Sequence, residues 1–140
     1  MDDLLSKIEP FKHLSAAQRR KLAQVSREKR YAKGETVFRA GEAADAVWIV
    51  NEGRVHLMRF LVNGKASTTC VMANGDAFCC VSTLDRKPYP ADAIAAENST
   101  VMRIPLDAFR EVFKSSPVFQ EKALCLFCDR LRAVEEKGCM

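Results

Sequence analysis

Leu4, Leu5, Ile8 and Phe11 recur at helical spacing and predict a short apolar helix face, interrupted at Pro10. A second helix is predicted from Ser15, whose hydroxyl is placed to cap the first turn, with Gln18 three residues on to complete a capping box. Leu22 and Val25 mark its expected buried side. From Glu28 the period changes from helical to alternating, and turn signals follow at Lys33-Gly34, Ala40-Gly41, Glu52-Gly53, Asn63-Gly64 and Asn74-Gly75. The last four glycines are 12, 11 and 11 residues apart, the rhythm of short antiparallel strands. Between them Thr36 to Phe38, Val47 to Val50, Val55 to Phe60 and Ser67 to Met72 are rich in β-branched and aromatic residues. Asn63-Gly64 tolerates positive φ at both positions and predicts a tight hairpin.

Small apolar residues at period two from Ala91 to Ala96, and then Thr100 to Ile104, read as the closing strands, the last one stopped by Pro105. Leu106 to Phe113 reads as a short helix with Phe109, Val112 and Phe113 on one side. Ser116-Pro117 is an N-cap and first-turn pair, opening a helix that runs toward Lys137. Along it Leu124, Phe127, Leu131 and Val134 fall at spacings of 3, 4 and 3, an a/d stripe. The expected fold is mainly β with flanking helices (α+β), a double-stranded β-helix or jelly roll closing its strands into a double sheet.

With 140 residues, 48% of them apolar, the chain makes one domain with a real core and leaves no room for a second. The net charge of +4 is modest. Its basic residues gather at Arg19, Arg20, Lys21, Arg27, Lys29, Arg30 and Lys33, read here as a solvated face. No apolar run approaches the roughly 18 residues of a spanning helix, and Asp2 and Asp3 stand where a signal peptide is positive. A cytoplasmic protein without membrane contact is expected, and its six cysteines as reduced thiols. Cys125-x-x-Cys128 shares a helix face, yet no second such pair and no nearby histidine complete four metal ligands, so the two are read as small buried hydrophobes and no metal is expected. His13 and His56 are the only histidines, too few for a metal-dependent jelly-roll enzyme, and no nucleophile and base pair is apparent, so no catalytic residues are assigned.

One stretch combines a turn, an apolar segment and a charged loop. It runs Gly75-Asp76-Ala77-Phe78-Cys79-Cys80, through Val81 to Pro90 with Asp85, Arg86 and Lys87, and into the strand from Ala91. The predicted order is turn, short helix, loop, strand, and a helix N-terminus beside a glycine suits an anionic or strongly polar ligand. At these residues the chain resembles the phosphate-binding cassette of the cyclic-nucleotide-binding domain, in the version carried by Crp/Fnr-type transcription regulators. The resemblance runs from about Phe11 to the last helix, and Gly41-Glu42, Val47-Trp48-Ile49-Val50 and Glu52-Gly53 fit the family's second and third strands. In the family's pattern a Gly-Glu pair opens the cassette and holds the ribose, and an Arg-Ser/Thr-Ala triplet closes it, its arginine on the cyclic phosphate. Here the pair is Gly75-Asp76 and the triplet is Tyr89-Pro90-Ala91. The arginine is missing, and Pro90 has neither N–H nor hydroxyl to give. Arg86 and Lys87 are the loop cations available as substitutes.

The resemblance implies a sensor domain with a helical lead-in, roll and cassette over about 11–113 and the start of a long dimer helix over 117–137. It implies a homodimer through Leu124, Phe127, Leu131 and Val134, and a small-molecule effector held by Gly75 to Cys80, Arg86, Lys87 and Tyr89 to Ala91. The departures point to an effector other than cyclic AMP. A cyclic-nucleotide-binding regulatory module of a signalling protein is the alternative, and it needs the absent arginine. No cofactor is assigned: haem, through His56, Met58 or a thiol, is the weaker option, and the family's iron–sulfur members use an N-terminal cysteine cluster where this chain has no cysteine before Cys70. DNA is expected as a partner only through a helix-turn-helix domain, which these 140 residues do not contain.

Overall fold

A computed structural model describes residues 2–60, 63–78 and 84–136. Its elements in order are α1 (Asp2–Leu5), a 3-10 turn (Phe11–His13), α2 (Ala16–Val25), β1 (Arg27–Tyr31), β2 (Thr36–Phe38), β3 (Ala46–Glu52), β4 (Val55–Phe60), β5 (Ala66–Met72), β6 (Ala77–Phe78), β7 (Asp92–Ala95), β8 (Ser99–Pro105), α3 (Leu106–Ser115) and α4 (Pro117–Glu136). The strands form two four-stranded antiparallel sheets, β1-β8-β3-β6 and β2-β7-β4-β5, as the jelly-roll expectation requires.

The apolar run Ala46 to Val50 explains why two cores exist. All five residues are buried, because β3 is covered on both faces. Val47 and Ile49 point toward a helical layer with Leu5, Phe11, Leu22, Phe109 and Phe119. Ala46, Trp48 and Val50 point between the sheets, among Phe38, Val55, Phe78, Tyr89 and Ala93. Period two in β3 thus assigns alternate side chains to different cores. The helices are capped as expected: Gln18 N donates to Ser15 Oγ at 3.2 Å and Ser15 N to Gln18 Oε1 at 3.0 Å, and Phe119 N donates to Ser116 Oγ at 3.2 Å. The glycine of every turn signal has a positive φ, from 81° at Gly64 to 111° at Gly53.

Three expectations are corrected. Ala77 and Phe78 pair with Ile49 and Trp48 as a strand rather than opening a helix; each is buried in a different core, which a strand permits and one helix face does not. Val25 is 44% exposed, because α2 ends there and the chain turns into β1 through the buried Ser26, whose Oγ donates to Leu22 O at 2.6 Å. Cys125 and Cys128 are exposed, since α4 docks through Phe119 and Ala123 on its other side. The stripe along α4 also divides: Phe127 packs partly on the helical core, whereas Leu124 and Leu131 are 61% and 48% exposed. A straight helix turns about 100° per residue, so residues three apart drift across the face. Cys79 and Cys80 lie outside the described residues, as does the side chain of Val134.

Candidate functional site

The opening of the cassette is a turn hung on β3. Gly75 adopts φ +87°, donates its N–H to Val50 O at 2.7 Å, and is followed by Asp76, whose N–H meets Ala73 O at 3.0 Å. Asp76 Oδ2 accepts from Ala73 N at 2.9 Å, so its carboxylate closes this turn. Arg130 of α4 reaches back 53 residues to donate from Nη2 to Ala77 O. Ile8, Glu9, Gly75, Asp76, Leu126 and Arg130 line a groove of about 320 Å³ between the lead-in, the turn and α4.

Tyr89 holds the closing end. It is 3% exposed and lies at the centre of the core between the sheets. Its ring stacks on Phe38 with centroids 3.8 Å apart and planes 14° apart. Its hydroxyl accepts from Trp48 Nε1 at 3.2 Å and has Ala46 O at 3.3 Å and Asp45 Oδ1 at 3.4 Å as acceptors. Its backbone is held twice by the Gly41-Glu42 turn, Gly41 N to Tyr89 O at 2.9 Å and Tyr89 N to Glu42 O at 3.0 Å. The two ends of the cassette therefore meet at Trp48: Phe78 pairs with its backbone and Tyr89 with its indole. Phe38, Trp48, Phe78 and Tyr89 fill the space between the sheets at this point.

Arg86 and Lys87 are exposed. Arg86 has φ +60°, and Lys87 N donates to Asp85 Oδ1 at 3.2 Å. Leu84 and Asp85 are helical, and Arg110 of α3 donates to Leu84 O at 3.3 Å. Pro90 is exposed and Ala91 buried. Two further residues belong here that sequence reading passed over. Arg59 follows Val55 and Leu57 at period two but is exposed at the end of β4, and its Nε donates to Pro90 O at 3.3 Å. It is a cation beside the closing triplet, arriving from another strand; only that strand's period hinted at its face. Arg130 carries no local signal at all.

His13 is held by Glu9, Nε2 to Oε2 at 2.9 Å. Among the described residues no three His, Cys, Asp or Glu side chains gather as a metal site. At the other end of the roll Tyr31 borders a second groove of about 540 Å³ with Glu35 and Asn98, and burial, helped by the charge of Glu35, pushes its phenol above the ordinary value.

A double-sheet roll thus carries a Gly-acid turn hung on β3, and a long helix is tied to that turn through Arg130. The family model for the cyclic nucleotide-binding domain matches residues 28–116, and the chain belongs to that family. It is similar to a cyclic AMP receptor protein of Thermus thermophilus, 25% identical over 105 residues, which are 75% of this chain and 49% of that protein. A CRP-like cAMP-activated global transcriptional regulator of Mycobacterium tuberculosis is 25% identical over 132 residues, 94% of this chain and 59% of the relative. The chain thus spans about half to three-fifths of the length of these relatives. Among solved structures, the sensor domain of the transcriptional regulator DNR from Pseudomonas aeruginosa superposes with a TM-score of 0.81 at 25% identity, covering 97% of this chain and 89% of that one. No helix among the described residues is long and apolar enough to cross a membrane.

Proposed function

We propose that this chain is the effector-sensing and dimerising domain of a Crp/Fnr-type transcription regulator, and that its effector is not cyclic AMP. The observation that carries the second half is Tyr89. At the place where the family pattern puts its phosphate-binding arginine stands a phenol that is buried, stacked and hydrogen-bonded within the protein. A cyclic phosphate taken out of water requires a charge-assisted partner, which an arginine supplies in bidentate form and a tyrosine cannot match. Leaving that charge unpaired costs on the order of several kcal/mol, two or more decades of affinity.

The signalling half rests on the ties from the cassette to the helices. Arg130 holds Ala77 O from α4, and Arg110 holds Leu84 O from α3. An effector that shifts the cassette pulls on both helices, changes how α4 pairs with its twin, and in a regulator with a helix-turn-helix domain resets the spacing of two recognition helices. The names of the two curated relatives and of the DNR sensor domain support the regulator class.

Calorimetric titration tests the ligand: cyclic AMP and cyclic GMP should bind no better than the millimolar range, and native mass spectrometry of the protein as isolated should reveal a different bound molecule. One observation favours a second reading, a cyclic-nucleotide-binding regulatory module: Arg59 beside Pro90 O is a cation at the closing triplet. A micromolar dissociation constant for either nucleotide, lost in Arg59→Ala or on replacing Arg86 or Lys87, would establish that reading and overturn ours.

A further inference from the structure

The outward face of α4 carries a seam different from the stripe read in the sequence. Leu124 and Leu131 are 61% and 48% exposed, and the exposed Cys128 lies between them at spacings of 4 and 3. These three obey the 3.5-residue repeat by which one helix coils against another of its kind. At about 100° per residue they occupy roughly 60° of the helix circumference. In a parallel two-fold pair each seam residue meets its own copy, so Cys128 faces Cys128 of the second chain. The two leucines leave on the order of 200 Å² of apolar surface per copy, against the roughly 800 Å² per partner that a standard stable interface buries. The seam alone therefore holds a weak pair, whose lifetime a covalent bond across it would decide.

We propose that Cys128 locks this dimer by oxidation, as a symmetric disulfide between two copies of the chain; the inference rests on the homodimer reading above. The oxidant is a low-molecular-weight disulfide. The Cys128 thiolate of one copy attacks it, forming a mixed disulfide and releasing one small thiol. The Cys128 thiolate of the other copy then attacks the protein sulfur, releasing the second small thiol. Two protein thiols and one small disulfide become one protein disulfide and two small thiols, so electrons and protons balance. A disulfide needs its Cα atoms within roughly 4.4–6.8 Å, a separation that in a helix pair only the seam layers offer. Cys125 is exposed but lies about 60° around the helix from Cys128, and Cys70 is half-buried against the core of the roll. Arg130, which ties α4 to the cassette, is two residues from the bond. Oxidation thus fixes the helix that the effector is proposed to move.

The test uses the full chain, reduced and then titrated with oxidised glutathione, with non-reducing electrophoresis, peptide mapping by mass spectrometry, and sedimentation in reductant alongside. A covalent dimer joined Cys128 to Cys128, abolished in Cys128→Ser, retained in Cys125→Ser and formed at least tenfold more slowly in Leu131→Ala, supports the proposal. Circular dichroism of Cys128→Ser matching the parent confirms that the loss is not unfolding. A reversible dimer in reductant that yields only glutathionylated monomer, an internal Cys125–Cys128 bond, or a covalent dimer surviving in Cys128→Ser overturns the lock and leaves the homodimer reading standing. A strict monomer in reductant at high concentration overturns both.

Discussion

Replacing Tyr89 by Phe asks whether this position serves the fold or a ligand. The substitution keeps the ring and its 3.8 Å stack on Phe38 and removes only the hydroxyl. What it leaves behind is the Trp48 Nε1–H, on a residue 4% exposed, whose acceptor at 3.2 Å was that oxygen. A buried donor without a partner costs about 1–3 kcal/mol. Taking about 2 kcal/mol, and an unfolding entropy that scales with chain length, the melting temperature of this domain should fall by roughly 7 °C without any ligand present. Scanning calorimetry or thermal circular dichroism reads the shift. A double-mutant cycle with Trp48→Phe isolates the pair: removing both partners should cost less than the two single changes together, by about 1 kcal/mol. A melting temperature within a degree of the parent, or strictly additive changes, would refute the assignment of Tyr89 as an internal strut and return it to the list of free ligand contacts.

Gly53→Ala should be the most damaging small change: a Cβ there would lie 2.7 Å from the Cα of Ser99 at φ +111°, and left-handed strain with overpacking amounts to about 3 kcal/mol or more by urea titration. Leu131→Ala should leave the melting temperature nearly unchanged, as the side chain is 48% exposed, yet weaken self-association at least tenfold in sedimentation; equal association of parent and variant would contradict the seam. Arg130→Ala removes the donor to Ala77 O, so amide exchange at Asp76 to Phe78 should quicken several-fold while α2 and β1 are unaffected, and unchanged exchange would show that α4 and the cassette are not coupled.

Local signals were legible in the chain because they act over a few residues. A glycine after a polar residue marks a positive-φ turn, Ser15 with Gln18 marks a helix start, and period two marks a strand, whatever the rest of the molecule does. These placed β2 to β5, β7 and β8 within a residue or two, and the triplet Tyr89-Pro90-Ala91 marks a departure from the nucleotide-binding pattern in the sequence itself. Which face of a local element ends up covered is a different matter, since it depends on partners distant in sequence. Ala77-Phe78 became a strand because β3 offered it an edge, and Val25, Cys125 and Cys128 are exposed because no described element of the same chain docks on their side. The residues that build the candidate site meet across the chain: Trp48 and Tyr89 are 41 apart, Arg59 and Pro90 are 31 apart, and Ala77 and Arg130 are 53 apart. No periodicity within a helix or strand encodes such a pairing. It exists only once two sheets and a helix have packed, because burial and hydrogen bonding select among faces that the local pattern leaves equivalent.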